Sequence, residues 1–263
     1  MSSVTGPLEH REHSEHRQPS RRTIKIEIVV VLAVTFGLSA YTALLRLIEA
    51  VLLGLSGRTV ALNPRRSPFD LIDLGLHLAG VFNLLAWGAL ALYMLWRSGI
   101  GPKAIGLGRP QARADGLGGL ALAALIGLPG LGFYVVARIL GLSADVEPAE
   151  LYDTWWRIPV LLGSAFANGW AEEIIVVGFL LTRLRQLDVS PTRALVISSL
   201  LRGAYHLYQG YSAGLGNLVM GLVFGYTWQR TGRLWPLIVA HTLIDAVAFV
   251  GYALLAHHLD WLR

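Results

Sequence analysis

From Ile24 onward the chain alternates long apolar runs with short polar or basic segments. The runs cover roughly residues 27–53, 71–96, 116–140, 159–181, 194–209, 214–229 and 235–256. Most approach the ~20 residues that a helix needs to cross hydrocarbon. The pattern predicts an all-α fold, a polytopic transmembrane helix bundle of about seven spans (six to eight as the boundaries are drawn), with a polar cavity formed by the spans of the second half. Gly127, Pro129 and Gly130 fall inside the third run, where neighbouring membrane helices can satisfy a broken backbone. Gly221 and Gly225, four apart, mark a face for close helix packing. No inverted repeat of the transporter kind is visible.

Residues 1–24 break this pattern. They are polar, include Pro19, Arg21 and Arg22, and offer almost nothing to bury, so they read as a disordered cytoplasmic tail before a single integral membrane domain over 25–263. His10, His13 and His16 recur every third residue, a spacing that can hold a metal, but a solvated tail is the simpler reading. The apolar stretch that follows is too long for a secretory leader and lacks a small-residue cleavage site.

Composition narrows the class. Hydrophobic residues make up 54% of the chain and charged residues 15%, with a mean hydropathy of +0.54. A soluble domain carries about 25% charged residues, so polar surface for a water-facing globule is lacking. This weighs against a cytosolic enzyme, a nucleic-acid binder or a disordered regulator; the expected partners are the lipid bilayer and a membrane-embedded protein or peptide, with no nucleic acid. The absence of cysteine removes disulfides, thiolate catalysis and Cys-ligated zinc.

The net charge of +5 resides mainly in tail and loops, where Lys and Arg set orientation. Arg11, Arg17, Arg21, Arg22 and Lys25 precede the first span, which puts the N-terminus in the cytoplasm of a cell-membrane protein. Arg97, Lys103, Arg109 and Arg113 follow the second span, Arg183, Arg185 and Arg193 the fourth, and Arg230 and Arg233 the sixth. The loop after the third span carries Asp145, Glu147, Glu150 and Asp153, as an outer loop should. Arg58, Arg65 and Arg66 disagree, since they would also lie outside; a split or re-entrant first segment, giving eight spans, would resolve this.

Ionisable groups inside apolar spans are costly and mark function by default. In the second half these are Glu172, Glu173, Arg202, His206, His241 and Asp245. In the first half Arg46, Glu49, Asp70, Asp73 and His77 sit near span ends, where snorkelling explains them more cheaply. Glu172 and Glu173 point to neighbouring helix faces, so one can face a cavity while the other meets a packed helix. Burial and like-charge proximity suit such a carboxylate to take a proton from water. Arg202 and His206 share a helix face, as do His241 and Asp245. An Asp one turn from a His can fix its tautomer. Counted from the proposed cytoplasmic ends, Glu172, His206 and His241 lie at depths of about 15, 20 and 10 Å, so the three can meet near mid-membrane.

These residues carry a resemblance. The chain resembles the CPBP family, which includes CAAX prenyl endopeptidases of the intramembrane glutamic protease type and bacteriocin-processing or immunity relatives. The family pattern is E-E-x-x-x-R, then F-x-x-x-H, then H-x-x-x-N or D, on three helices. Glu172-Glu173 open the first motif, with Gly178 where a Gly commonly follows; His206 ends the second; His241 and Asp245 form the third, within about 160–250. The segment from Ala104 to Pro110 is similar to the family's cytoplasmic loop. Two positions depart: Val177 stands where the family has Arg, and Arg202 where it has Phe. Arg202 is expected to supply from the fifth span the guanidinium that Val177 lacks, pairing with Glu173 because an unpaired buried Glu is expensive.

The resemblance implies an endopeptidase without cofactor. Glu172 with His206 would activate the attacking water, and His241 would stabilise the oxyanion, with Asp245 supporting His241 from behind. Three other readings use the same residues. Glu172, His206 and His241 could be three zinc ligands with an open fourth position. The chain could be a non-catalytic membrane scaffold or immunity-type protein, or a transporter with a Glu/His proton relay.

Overall fold

The computed structural model describes residues 19–147 and 154–251. The His10, His13 and His16 cluster, the loop acids Glu150 and Asp153 and the last stretch of the seventh run lie outside the described residues.

Helix α1 (Arg21–Val34) starts within the segment expected to be a disordered tail, because Ser20 caps it by accepting from the Thr23 amide at 3.1 Å. At Thr35 the backbone leaves helical geometry, and α2 (Phe36–Leu53) continues beyond it. The buried Thr35 hydroxyl donates to the Val31 carbonyl at 2.7 Å, so the break is satisfied internally. The two pieces form one bent pass. Arg21 at its start bonds the Leu187 carbonyl and pairs with Asp188, while the far end of α2 packs on the turn Leu207–Gln209.

Six more passes follow: α3 (Asp70–Arg97), α4 (Ala112–Ile139), α5 (Arg157–Glu172) running through a π-helical turn (Glu173–Phe179) into α6 (Leu180–Gln186), α7 (Pro191–Tyr205), α8 (Tyr211–Thr231) and α9 (Trp235–Ala246), which ends in a second π turn, Val247–Gly251. Among the described residues four of these passes are long and apolar enough to cross a membrane unaided: α2, α3, α4 and α5–α6. The protein is an all-α integral membrane bundle, as its apolar pattern predicts.

Burial inverts the soluble-protein order. The most apolar window of α4 is only 6% buried, and Leu120, Leu125, Leu128 and Leu131 stand exposed, whereas the window of α5–α6 is 67% buried. A contiguous apolar face of that kind suits lipid rather than water. The pass that carries Glu172 and Glu173 is therefore the core of the bundle. Around it α7 and α8 pack closely: Gly221 stands against Ser199 and Gly225 against Leu195, as the small-residue spacing anticipates.

At one end of the bundle, Trp228 and Trp235 donate to the Ile105 and Gly108 carbonyls, fastening the 104–110 loop to the α8–α9 turn. Arg233 in that turn forks onto Asp115 at 2.7 and 2.8 Å, which holds its guanidinium above the ordinary arginine pKa. At the other end, strands β1 (Thr59–Ala61) and β2 (Asp145–Glu147) pair in parallel, and Ser143 bridges Gly210. No apolar run signals this short pairing. It keeps Arg58, Arg65 and Arg66 at the same end as Asp145, so the bend at Thr35 adds no eighth pass. Local acceptors hold these arginines instead: Glu49 for Arg58, Asp70 for Arg65 and the Leu76 carbonyl for Arg66. Asp73 and His77 near the start of α3 do not snorkel outward but are buried, 3% and 2% exposed; Asp73 accepts the amides of Arg66 and Ser67 and so ties down the loop.

Candidate active site

The site grows from small residues on α5. Ala165, Ala167, Gly169 and Ala171 are buried, and a Cβ at Gly169 would stand 2.9 Å from Thr242 Oγ1 and 3.1 Å from the Ile238 carbonyl. This contact draws α9 against α5 and puts His241 within reach of Glu173. The π turn then widens the helix from Glu173 onward. Ser198 of α7 donates to the Val176 carbonyl within it at 2.7 Å, joining the wide turn to the next pass.

Glu173 is fully buried and occupied. Its Oε1 accepts from Arg202 Nη2 at 2.7 Å and from His241 Nδ1 at 2.7 Å. The cross-helix pairing expected from the Val177 and Arg202 departures is thus present in the geometry. The guanidinium also lies over the Phe224 ring, 5.6 Å from its centroid. Glu173 Oε2 and the Nε and Nη1 of Arg202 have no hydrogen-bond partner among the described residues.

Glu172 is held differently. Tyr205 donates to its Oε2 at 2.6 Å, and Arg202 Nη1 stands 4.0 Å from the same oxygen. The carboxylate keeps 7% exposure and, among the described residues, an oxygen without a protein donor. His206, just past the C-terminus of α7, directs Nδ1 at the Arg202 carbonyl at 3.0 Å. A carbonyl only accepts, so Nδ1 carries the hydrogen and Nε2 of the neutral ring is left with a lone pair. The sequence gives no sign of the Tyr205 contact, since a tyrosine in an apolar run reads as packing; here it stacks on Phe36 with ring centroids 4.7 Å apart.

Asp245 does not sit behind His241. It faces Nε2 at 3.8 Å, too far for a hydrogen bond, while Asn168 Nδ2 donates to it at 2.9 Å. Glu173, on Nδ1, orients the ring. The i,i+4 spacing suggests Asp245 for that role, but the close approach at Gly169 lets a carboxylate from another helix reach Nδ1 first. Among the described residues no group of three His, Asp or Glu side chains is gathered at metal-holding geometry.

Helix α7 has 15 residues, about 22 Å of rise against the ~30 Å of hydrocarbon. After His206 the chain turns through Leu207–Gln209 against the far end of α2, beside the Ser143–Gly210 bridge. A recess of about 360 Å³ opens there between α2 and the turn, with Tyr205 and Tyr208 on one wall and Ser39, Thr42, Ala43 and Arg46 on the other.

No curated protein and no solved structure matches the chain. Residues 154–247 match the family model described as type II CAAX prenyl endopeptidase, Rce1-like. The matched segment runs from the start of α5 to the end of α9 and holds every residue of the cluster around Glu172 and Glu173. The part of this chain that brings Glu172, Glu173, Arg202, His206, His241 and Asp245 together is thus similar to the type II CAAX prenyl endopeptidases.

Proposed function

We propose that this protein is an intramembrane glutamic endopeptidase that cleaves a peptide bond in a membrane-associated protein or peptide. The observation that carries the proposal is the division of labour between two adjacent carboxylates. Glu173 is committed to Arg202 and His241, whereas Glu172 has only the Tyr205 hydroxyl and an oxygen to spare.

In this reading water lies between Glu172 and the Nε2 of His206. Glu172 takes its proton as the oxygen attacks the carbonyl, and His206, fixed by its Nδ1–H bond to the Arg202 carbonyl, accepts from the same water. Tyr205 shares the charge of Glu172 and holds one oxygen still, which leaves the other aimed at the water. His241 is clamped through Nδ1 by Glu173, and with Nε2 protonated it donates to the oxyanion. Asp245, held by Asn168, faces that same nitrogen and balances its charge. The proton then passes to the departing amine. Arg202 keeps the Glu173 clamp charged and is a positioning residue.

The scaffold reading rested on the departures at Val177 and Arg202. The 2.7 Å pair between Arg202 and Glu173 supports an exchange instead of a loss. A quenched-fluorescent farnesylated CAAX peptide, incubated with purified protein in nanodiscs, tests the proposal. Hydrolysis by the wild type that is lost in Glu172→Gln and in His206→Ala is expected. Equal rates in all three proteins would overturn it.

A further inference from the structure

The recess beside Tyr205 does not end at Arg46. A second recess of about 260 Å³ adjoins it and shares Arg46 and Tyr208 in its wall, continuing past Glu49 and Arg58 toward β1 and Ala144. Its charge is unbalanced. Arg46 Nη1 and Arg58 Nη1 stand 3.2 and 3.4 Å from one and the same oxygen, Oε2 of Glu49. Neither arginine has another carboxylate partner among the described residues, so two guanidiniums divide one negative charge. Unlike the buried Arg183 and Arg202, both keep solvent access, with side chains 71% and 38% exposed. The fan of donors that Glu49 leaves over is suited to a second, external carboxylate held bidentately.

Position ties this cluster to the site. Phe36, at the start of α2, stacks on Tyr205, which touches Glu172; Arg46 lies ten residues further along the same helix, about 15 Å of rise. An extended peptide covers that distance in about four residues. The wall between is small and polar, with Ser39, Thr42 and Ala43 leaving width for a chain.

We infer that Arg46 and Arg58 form a carboxylate-binding subsite for the peptide substrate, about three to five residues from the scissile bond along the recess. The inference rests on the proposed peptidase reading and adds a substrate requirement to it: the peptide carries a carboxylate at that distance, as its C-terminus or as an acidic side chain. An anionic lipid headgroup is the competing occupant. The continuity of the recess with Tyr205 favours the peptide.

The test uses dansyl-labelled peptides of one sequence ending in a free acid or an amide, and a third with an internal Glu or Gln at the same distance. Binding is measured to Glu172→Gln protein, and cleavage with the wild type, in phosphatidylcholine nanodiscs. The acid form is expected to bind about tenfold more tightly than the amide, with the difference in cleavage carried by KM. The comparison of C-terminus with side chain tells which carboxylate is read. The preference falls to near unity when Arg46→Gln is added, and rises when Glu49→Gln frees both guanidiniums. Equal binding of acid and amide forms, or a preference unchanged by Arg46→Gln, overturns the subsite. Displacement of the acid peptide by phosphatidylglycerol with no acid preference in cleavage assigns the cluster to lipid and overturns it too. Glu172-dependent cleavage without acid preference sinks the subsite alone; acid-selective binding without cleavage sinks the peptidase reading alone.

Discussion

Arg202 and Glu173 meet across two helices, with Nη2 2.7 Å from Oε1 and both side chains fully buried. Twenty-nine residues apart in sequence, they form the pair on which the rest of the cluster leans. The same carboxylate oxygen orients His241, and the Arg202 carbonyl sets the tautomer of His206. The ion pair therefore orients His241, while the Arg202 backbone, independently of its side chain, orients His206.

Breaking it leaves a buried, uncompensated carboxylate. Arg202→Ala is expected to destabilise the protein by about 3–5 kcal/mol, read as a lower melting temperature in detergent. Because Val177 is buried in the π turn that begins at Glu173, a guanidinium returned there can reach the orphaned acid. Arg202→Phe combined with Val177→Arg should recover much of the lost melting temperature. No recovery would contradict the exchange.

Tyr205→Phe removes one donor and little packing, since the stacked contact with Phe36 survives. A hydrogen bond to a charged group is worth about 1.5–3 kcal/mol. The expected result is a fall of roughly tenfold or more in kcat with KM and melting temperature nearly unchanged. A loss confined to KM would show that Tyr205 acts on the substrate and not on Glu172.

Gly169→Ala places a methyl group 2.9 Å from Thr242 Oγ1 and 3.1 Å from the Ile238 carbonyl. Overpacking of this kind costs about 1–3 kcal/mol. Separation of α9 from α5 lengthens the Glu173–His241 contact, so activity should fall further than the melting temperature alone implies. Wild-type activity in this variant would show that the α5–α9 spacing does not set the site.

Hydrolysis by the purified protein should withstand 1,10-phenanthroline and EDTA, because each carboxylate of the cluster has a protein partner and the mechanism routes no step through an ion. Loss on chelation, restored by added zinc, would revive the arrangement of Glu172, His206 and His241 as ligands.

Much of this was legible in the chain. The apolar runs mark the passes, and the paired departures at Val177 and Arg202 point to the ion pair because a buried acid needs a counter-charge. Less visible was what depends on backbone geometry. The bend at Thr35 has no proline to announce it, and the π turn at Glu173 follows an ordinary apolar stretch. His241 was harder still: helical spacing favours Asp245, whereas a missing side chain at Gly169, on a different helix, decides the matter for Glu173. Tyr205 was hidden by its aromatic character, which suits lipid, packing and hydrogen bonding alike.

In the proposed mechanism two neighbouring carboxylates do different work, one on water and one on the scaffold. The direct measurement is kcat and melting temperature for Glu172→Gln beside Glu173→Gln, on the same farnesylated peptide. Glu172→Gln is expected to lose about 10²–10⁴-fold in kcat while melting as the wild type does. Glu173→Gln should lose melting temperature together with activity. Near-wild-type kcat in Glu172→Gln, with the loss confined to Glu173→Gln, would contradict it.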